Sequence, residues 1–276
     1  MKVLWTKSND GTKIRLGRWN EEGKKNILLV HGLAEHLGRY QHVAEFFAEK
    51  GWRVTAIEFR GHGESEGKRG HTNSWMQYCE DLQAAMSTVG APMVMVSHSM
   101  GGLITFWSMM HSMAPPVKAF AISNPLLGLF ETPSPITVFM GKLLSKIAPK
   151  MVLPGQEVKS QWLSHDPEVE KAYLADPLIF RDITARWADS MLKALEDVHA
   201  YSPKYTHTVR LMLGGDDRIC DPDAGRSFAK NFGAKGGGTI EVIEYPKCYH
   251  ELFNEVEKYE ILEATNDWLN TQWEAK

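Results

Sequence analysis

Residues 94–107 read VMVSHSMGGLITFW, a run of strand-forming residues that passes directly into a helix-forming one. Ser99 sits at the joint, between His98 and Met100. It is either a nucleophile displayed on a sharp turn or the small polar residue that caps the next helix. A serine hydroxyl attacks a carbonyl only if it is accessible, has a base to take its proton, and faces donors for the developing oxyanion. A tight strand-to-helix turn supplies the first, and it aims the N–H groups of the helix start at the reacting carbon. Such a turn needs small residues, because strand and helix backbones approach closely. Gly101 and Gly102 follow Ser99, and Ser97 stands where the pattern G-x-S-x-G has its first glycine. On these residues alone both readings stand.

Chain order separates them. A nucleophile on such a turn takes its acid and then its histidine from loops after later strands. The segment LMLGGDDRICDP (211–222) places Asp216 and Asp217 just past a strand, and EVIEYPKCYHELF (241–253) places His250 just past the next. Of the 11 histidines, His250 is the only one downstream of the aspartate loop. Three residue types at three strand ends in the required order outweigh a lone surface histidine. The oxyanion donors expected are the N–H of Met100 and one from the loop HGLAEHLGRY (31–40), where Gly32 admits close approach and Leu33 is the second donor. His31 and His36 precede Ser99 and are expected to be structural or to line the substrate site.

Outward from this joint, strand-like and helix-like segments alternate. Strands are expected at 12–19, 26–32, 52–59, 92–97, 117–123, 208–215 and 239–246, the apolar ones buried on both faces. Helices are expected at 40–51, at 75–89 behind Ser74 and before Gly90, at about 100–113, after Asp221-Pro222, and at 256–273. Buried strands alternating with helices predict an α/β fold, a mostly parallel central sheet covered on both faces. The pattern breaks at 124–156, where prolines are dense and no strand is convincing, and 157–199 reads as helical. Residues 1–125 and 200–276 are therefore expected to form the α/β core, interrupted by a helical insertion at 126–199.

The bulk composition narrows the function classes. A chain of 276 residues with 43% hydrophobic and 24% charged residues suits one large globular domain with an insertion. A net charge of -3 with short, scattered basic runs gives no general attraction to nucleic acid. The first residues contain no apolar stretch of signal-peptide length, and no segment reaches the roughly 18 apolar residues of a membrane span. The three cysteines, Cys79, Cys220 and Cys248, fit neither a disulfide framework nor a zinc site. A reduced, cytoplasmic setting is expected, with no metal or organic cofactor.

With these residues in view, the chain resembles the monoacylglycerol lipase and lysophospholipase branch of the α/β-hydrolases, the serine aminopeptidase S33-like group. The likeness runs through HGLAEHLGRY, EFRGHGESEGKRGH, SHSMGG, SNPLL, LSHDPEVEKAYLADPLIFR, GGDDRICDP and YHELFNE, nearly the whole length. It implies Asp217 rather than Asp216 as the acid, His250 as the base, and Leu33 and Met100 as oxyanion donors. Two departures stand out: Ser97 replaces glycine, and Glu58 stands where many relatives carry aspartate before GHG. The resemblance further implies hydrolysis of carboxylic esters of single-chain lipids through an acyl-enzyme, and an insertion that serves as a helical cap over the acyl pocket. The same triad also serves thioesterases, peptidases and carbon–carbon hydrolases, and a ligand-binding protein could retain it. Within the insertion, Ile136, Phe139, Met140, Leu143, Leu144 and Ile147 recur at helical spacing. Such a stripe is expected to be core, the alternative being a face that gathers lipid or makes transient contact with a bilayer surface. Cys220 and Cys248 lie close in sequence to Asp217 and His250. They are expected to be small buried fillers rather than reactive thiols.

Overall fold

Parallel strands buried on both faces need apolar residues of both parities, and the strand segments supply them. The computed structural model describes residues 1–112, 117–153 and 159–275. Its first half runs β1 (Lys2–Lys7), β2 (Lys13–Trp19), β3 (Lys25–Val30), α1 (Gln41–Glu49), β4 (Trp52–Glu58), α2 (Trp75–Val89), β5 (Met93–His98), α3 (Met100–Met110) and β6 (Val117–Ser123). The segment that follows holds α4 (Pro135–Ile147), β7 (Val152–Leu153), α5 (Pro167–Ala175), β8 (Ile183–Thr184) and α6 (Ala185–Tyr201). The chain then completes β9 (Thr208–Gly214), α7 (Pro222–Asn231), β10 (Thr239–Tyr245) and α8 (Lys258–Glu274).

Eight strands form one sheet in the order β1-β2-β4-β3-β5-β6-β9-β10. β2 is antiparallel to both β1 and β4, and every other pairing is parallel. Successive side chains of a strand point to opposite faces, so Leu28 and Val30 join one core with Met95 and Ile122. Ile27 and Leu29 join the other with Val94 and Val96. Helices α2, α3 and α6 close the first core, and α1 and α8 close the second. This is the mostly parallel, doubly covered sheet that the alternation of elements predicts, and the α/β-hydrolase arrangement that the resemblance implies. Parallel register also brings the ends of β3, β5, β6, β9 and β10 to one edge, with Val30 opposite Ser97, His98 opposite Ser123, and Ser123 opposite Met212. The loops carrying Leu33, Ser99, Asp217 and His250 all leave from that edge.

Some elements differ from expectation. β1 was not anticipated: it is an edge strand with no fully buried residue, and apolar Val3 and Trp5 on its open face mask the core-facing alternation. Helix α3 ends at Met110, with His111 and Ser112 in the turn, and Met113 lies outside the described residues. The two-residue antiparallel pair of β7 and β8 lies in segments read as strandless or helical, because two residues are too few to show a period. The α4 stripe is not core: Ile136 (76% exposed), Phe139 (67%) and Ile147 (70%) face solvent, as do Met140 and Leu143, while Leu144 is half-buried. The helix meets α6 through smaller groups, with Ser145 fully buried and bonded to Asp189 Oδ2 at 2.7 Å.

Candidate active site

At the end of β5 the backbone turns sharply, and Ser99 adopts φ 51°, ψ -120°, a left-handed conformation strained for a residue with a β-carbon. The glycines after it are required by space. A β-carbon at Gly101 would lie 2.5 Å from the His31 carbonyl oxygen, and one at Gly102 would lie 2.7 Å from Pro125 Cβ. Ser97 is accommodated where glycine was expected. Its hydroxyl lies 2.8 Å from Thr105 Oγ1, which in turn donates to the Gly101 carbonyl at 2.8 Å, tying strand to helix.

His250 Nε2 lies 2.9 Å from Ser99 Oγ, and His250 Nδ1 lies 2.7 Å from Asp217 Oδ2. The other oxygen of Asp217 accepts the N–H groups of Ile219 (2.8 Å) and Cys220 (3.0 Å), which fixes the carboxylate plane. Asp216 is exposed, so of the two candidates the geometry brings Asp217 to the histidine. Ser99, Asp217 and His250 are all buried. Burial opposes charge on His250, but the Asp217 carboxylate, by its charge and hydrogen bond, outweighs it, with Glu251 and Glu35 adding to the effect. The imidazole is therefore raised above its ordinary pKa. His98, whose ring centre is 4.6 Å from that of His250, is pushed down to about 4 by burial and by the charge of His250. It stays neutral beside the histidine it packs against.

The loop after β3 is held rigidly. His31 lies within hydrogen-bonding distance of the Gly32 carbonyl through Nδ1 (2.7 Å) and accepts the Phe59 N–H through Nε2 (3.1 Å), and burial depresses its pKa to about 3. His36 caps a short turn by accepting the Gly38 N–H, while its Nε2 reaches Asp176 Oδ2 at 2.8 Å. Both histidines are structural. The N–H groups of Leu33 and Met100 have no hydrogen-bond partner among the described residues, the first in the loop and the second at the start of α3. Leu33, Ser99 and His250 line a cavity of about 430 Å³, walled by Leu126, Ile183 and Trp187. That volume is in the range of a small-molecule pocket.

Several residues that frame the site, Glu35, Arg39 and Glu251 among them, are not singled out by the sequence, whereas Glu58 is, as a departure from the family pattern. Glu35 accepts the Gly32 N–H and the Tyr40 hydroxyl, and Arg39 bridges Glu35 to Glu251, which it grips with two bonds of 2.6 and 2.8 Å. Glu58 accepts the Glu64 N–H and Arg15, so it anchors the loop after β4. All of these lie inside the strings that carried the resemblance, but a charged residue in a loop gives no sign of burial by itself. Cys220 and Cys248 are buried thiols; burial pushes Cys248 up to about 12 and Cys220 well above its usual value. Asp217, Cys220 and His250 offer ligand atoms within 4.8 Å of one another. The carboxylate and imidazole are engaged with each other, and the thiol is held protonated.

The model of one protein family, described as serine aminopeptidase, S33, matches residues 21–257. The chain belongs to that family. Among characterised members of similar sequence, it is 32% identical over 251 residues to a monoacylglycerol lipase of Mycolicibacterium smegmatis, covering 88% of this chain and 87% of the other. It is 26% identical over 242 residues to a phospholipase of Bacillus subtilis, covering 86% and 92% respectively. Among solved structures, the monoacylglycerol lipase of Paleococcus ferrophilus superimposes with a TM-score of 0.83 at 26% identity, over 99% of this chain and 100% of that one.

Proposed function

We propose that this chain hydrolyses carboxylic esters of single-chain lipids, monoacylglycerols or lysophospholipids, through a covalent acyl-enzyme. The observation that carries this reading is the unbroken chain Ser99 Oγ, His250 Nε2, His250 Nδ1, Asp217 Oδ2 at 2.9 and 2.7 Å, opening into a cavity with apolar walls. Ser99 attacks the ester carbonyl as His250 takes its proton at Nε2, and Asp217 holds the Nδ1–H and stabilises the imidazolium. The N–H groups of Leu33 and Met100 receive the oxyanion. His250 then protonates the leaving alkoxide, the C–O bond breaks, and an acyl-serine remains. A water that His250 deprotonates attacks the acyl carbonyl, and the fatty acid leaves with Ser99 restored.

In this reading residues 1–125 and 200–276 form the catalytic core, and 126–199 roof the acyl site as a cap. The exposed face of α4, with Lys142, Lys146 and Lys150 beside it, rests transiently on a lipid surface. Arg218 favours a lysophospholipid over a neutral acylglycerol. Its guanidinium stacks on Trp162, 4.1 Å from the ring centre, lines the cavity, and has no carboxylate partner among the described residues. Arg39 and Lys159, also at the cavity, are both paired. A free, pre-oriented guanidinium suits a phosphate.

The test is fatty-acid release from a panel of monoacylglycerols, lysophospholipids, short p-nitrophenyl esters and acyl-thioesters, for the native chain and Ser99→Ala. Ser99→Ala is expected to keep its fold, to resist fluorophosphonate labelling and to lose turnover on every ester. Near-native turnover by that variant overturns the reading. Arg218→Gln is expected to lower lysophospholipid turnover several-fold relative to monoacylglycerol. An unchanged ratio removes the head-group preference.

A further inference from the structure

Three loops must keep register for a serine, a histidine and an aspartate to meet, and in this fold they leave from different strands. One buried side chain outside the triad joins them. Asn124 follows β6 and is 2% exposed, with φ 39°, a left-handed conformation that asparagine tolerates better than most residues. Its Nδ2 donates to the carbonyl oxygens of Tyr249 (3.1 Å) and His250 (2.6 Å). Its Oδ1 accepts the Gly214 N–H at 2.7 Å, at the start of the loop that carries Asp217. Its own N–H donates to Met212 at 2.8 Å, while the preceding carbonyl, that of Ser123, accepts the Ser99 N–H at 3.1 Å. Both amide protons and the amide oxygen are thus committed, two bonds to the histidine loop and one to the acid loop, on a backbone hydrogen-bonded to the nucleophile itself.

We propose that Asn124 is a positioning residue that sets the register between the Asp217 and His250 loops, and through it the alignment of the triad. The inference rests on the hydrolase reading above and goes beyond it, because Asn124 touches neither substrate nor reacting atoms. The loops it joins are already at contact distance: a β-carbon at Gly214 would lie 2.4 Å from the Tyr249 carbonyl oxygen. A carboxylate in place of the amide has the same shape but no donors, so two carbonyl oxygens lose their partner and face a negative charge. The histidine loop then shifts away, and the Asp217–His250 bond lengthens.

The variants are Asn124→Asp, which keeps the shape, and Asn124→Gly, which removes the clamp while accepting the positive φ. Displacements of about 1 Å at reacting groups cost on the order of 100-fold, so kcat for a p-nitrophenyl ester is expected to fall about 10- to 100-fold, with KM changed less than threefold. The second readout is the acidic limb of kcat/KM against pH. His250 is faced by Asp217, Glu251, Glu35 and Cys220, and its ring packs on His98, which Arg39 also influences; in Asn124→Gly, which adds no charge, loosening the bond to Asp217 leaves burial to dominate, and the limb moves to lower pH. A purely structural role would lower the melting temperature and leave the limb in place. Native kcat in either folded variant, or an unmoved limb in Asn124→Gly, overturns the proposal, and so does loss of fold in both. An inactive native chain would instead count against the hydrolase reading, so the two failures are distinct.

Discussion

In the proposed mechanism His250 decides the pH dependence of the reaction. Only the neutral imidazole can accept the Ser99 proton, so activity falls as pH drops through the folded-state pKa of His250. Burial pulls that value down, but Asp217 and the nearby Glu251 and Glu35 pull it above the ordinary histidine value of 6.5. The acidic limb of kcat/KM is accordingly expected above pH 6.5. Asp217→Asn keeps an acceptor for the Ile219 and Cys220 N–H groups, so the fold survives, but it removes the raising charge. The variant is expected to lose roughly 10³- to 10⁴-fold in kcat, and its residual activity to show a limb displaced to lower pH. A limb that stays put in Asp217→Asn would mean that some other group titrates there. The three triad residues were legible in sequence because chemistry fixes both their types and their order along the chain. Asn124, Glu35 and Glu251 were not, because their role lies in which backbone groups they meet, and that is decided only once the loops converge.

Helix α4 shows the same divide at the level of elements. Its spacing of Ile136, Phe139, Leu143 and Ile147 is a sound helix signal, and the helix is there. Periodicity gives the apolar face but not what covers it. Here Ser145 and its half-buried neighbours meet α6, and the large side chains point away. β1 poses the opposite problem: only Leu4 and Thr6 are half-buried, and apolar Val3 and Trp5 on the open face mask the alternation, while β7 and β8 are too short to show one. Phe139→Ser combined with Ile147→Ser tests the exposed face. Both side chains are largely exposed already, so stability should change little. Each buried apolar side chain contributes about 1.5 kcal/mol or more, so partition onto lipid vesicles is expected to weaken roughly 100-fold if both side chains enter the surface. Hydrolysis of a short, water-soluble ester should stay within twofold of native. Equal vesicle co-sedimentation by the native chain and the double variant would rule out α4 as the contact.

Across the whole molecule, the loop that carries His250 is held from two sides. From the sheet edge come Asn124 and Asp217; from the segment between β6 and β9 come the Trp162 and Leu163 carbonyls, which accept the N–H groups of His250 (3.3 Å) and Glu251 (2.8 Å). The buried Glu255 carboxylate joins the same two segments, accepting the N–H groups of Tyr249 (2.6 Å) and His165 (3.0 Å). Arg39 completes the frame. It bonds Glu35 in the loop after β3 and Glu251 beside His250, while the Tyr173 ring of α5 lies 5.1 Å from its guanidinium. Removing it leaves two buried carboxylates without a cation, a loss of about 3–5 kcal/mol, or roughly 10 °C in melting temperature for a chain of this size. The pH dependence of that loss is specific. Burial opposes charge on Glu251, yet Arg39 holds its pKa below the usual value. A depressed carboxyl stabilises the fold above its unfolded pKa, near 4.3, and that contribution is lost as pH falls through the folded value. The gap between native and Arg39→Ala melting temperatures should therefore hold from neutral pH down to about 4.3 and narrow only below it, as pH falls through the folded value. Arg39→Lys, a point cation that cannot grip Glu251 with two bonds, should fall between them. A gap that is the same at pH 7 and well below pH 4 would show that Arg39 acts by packing alone, and that its charge does not tie the loop after β3 to the His250 loop.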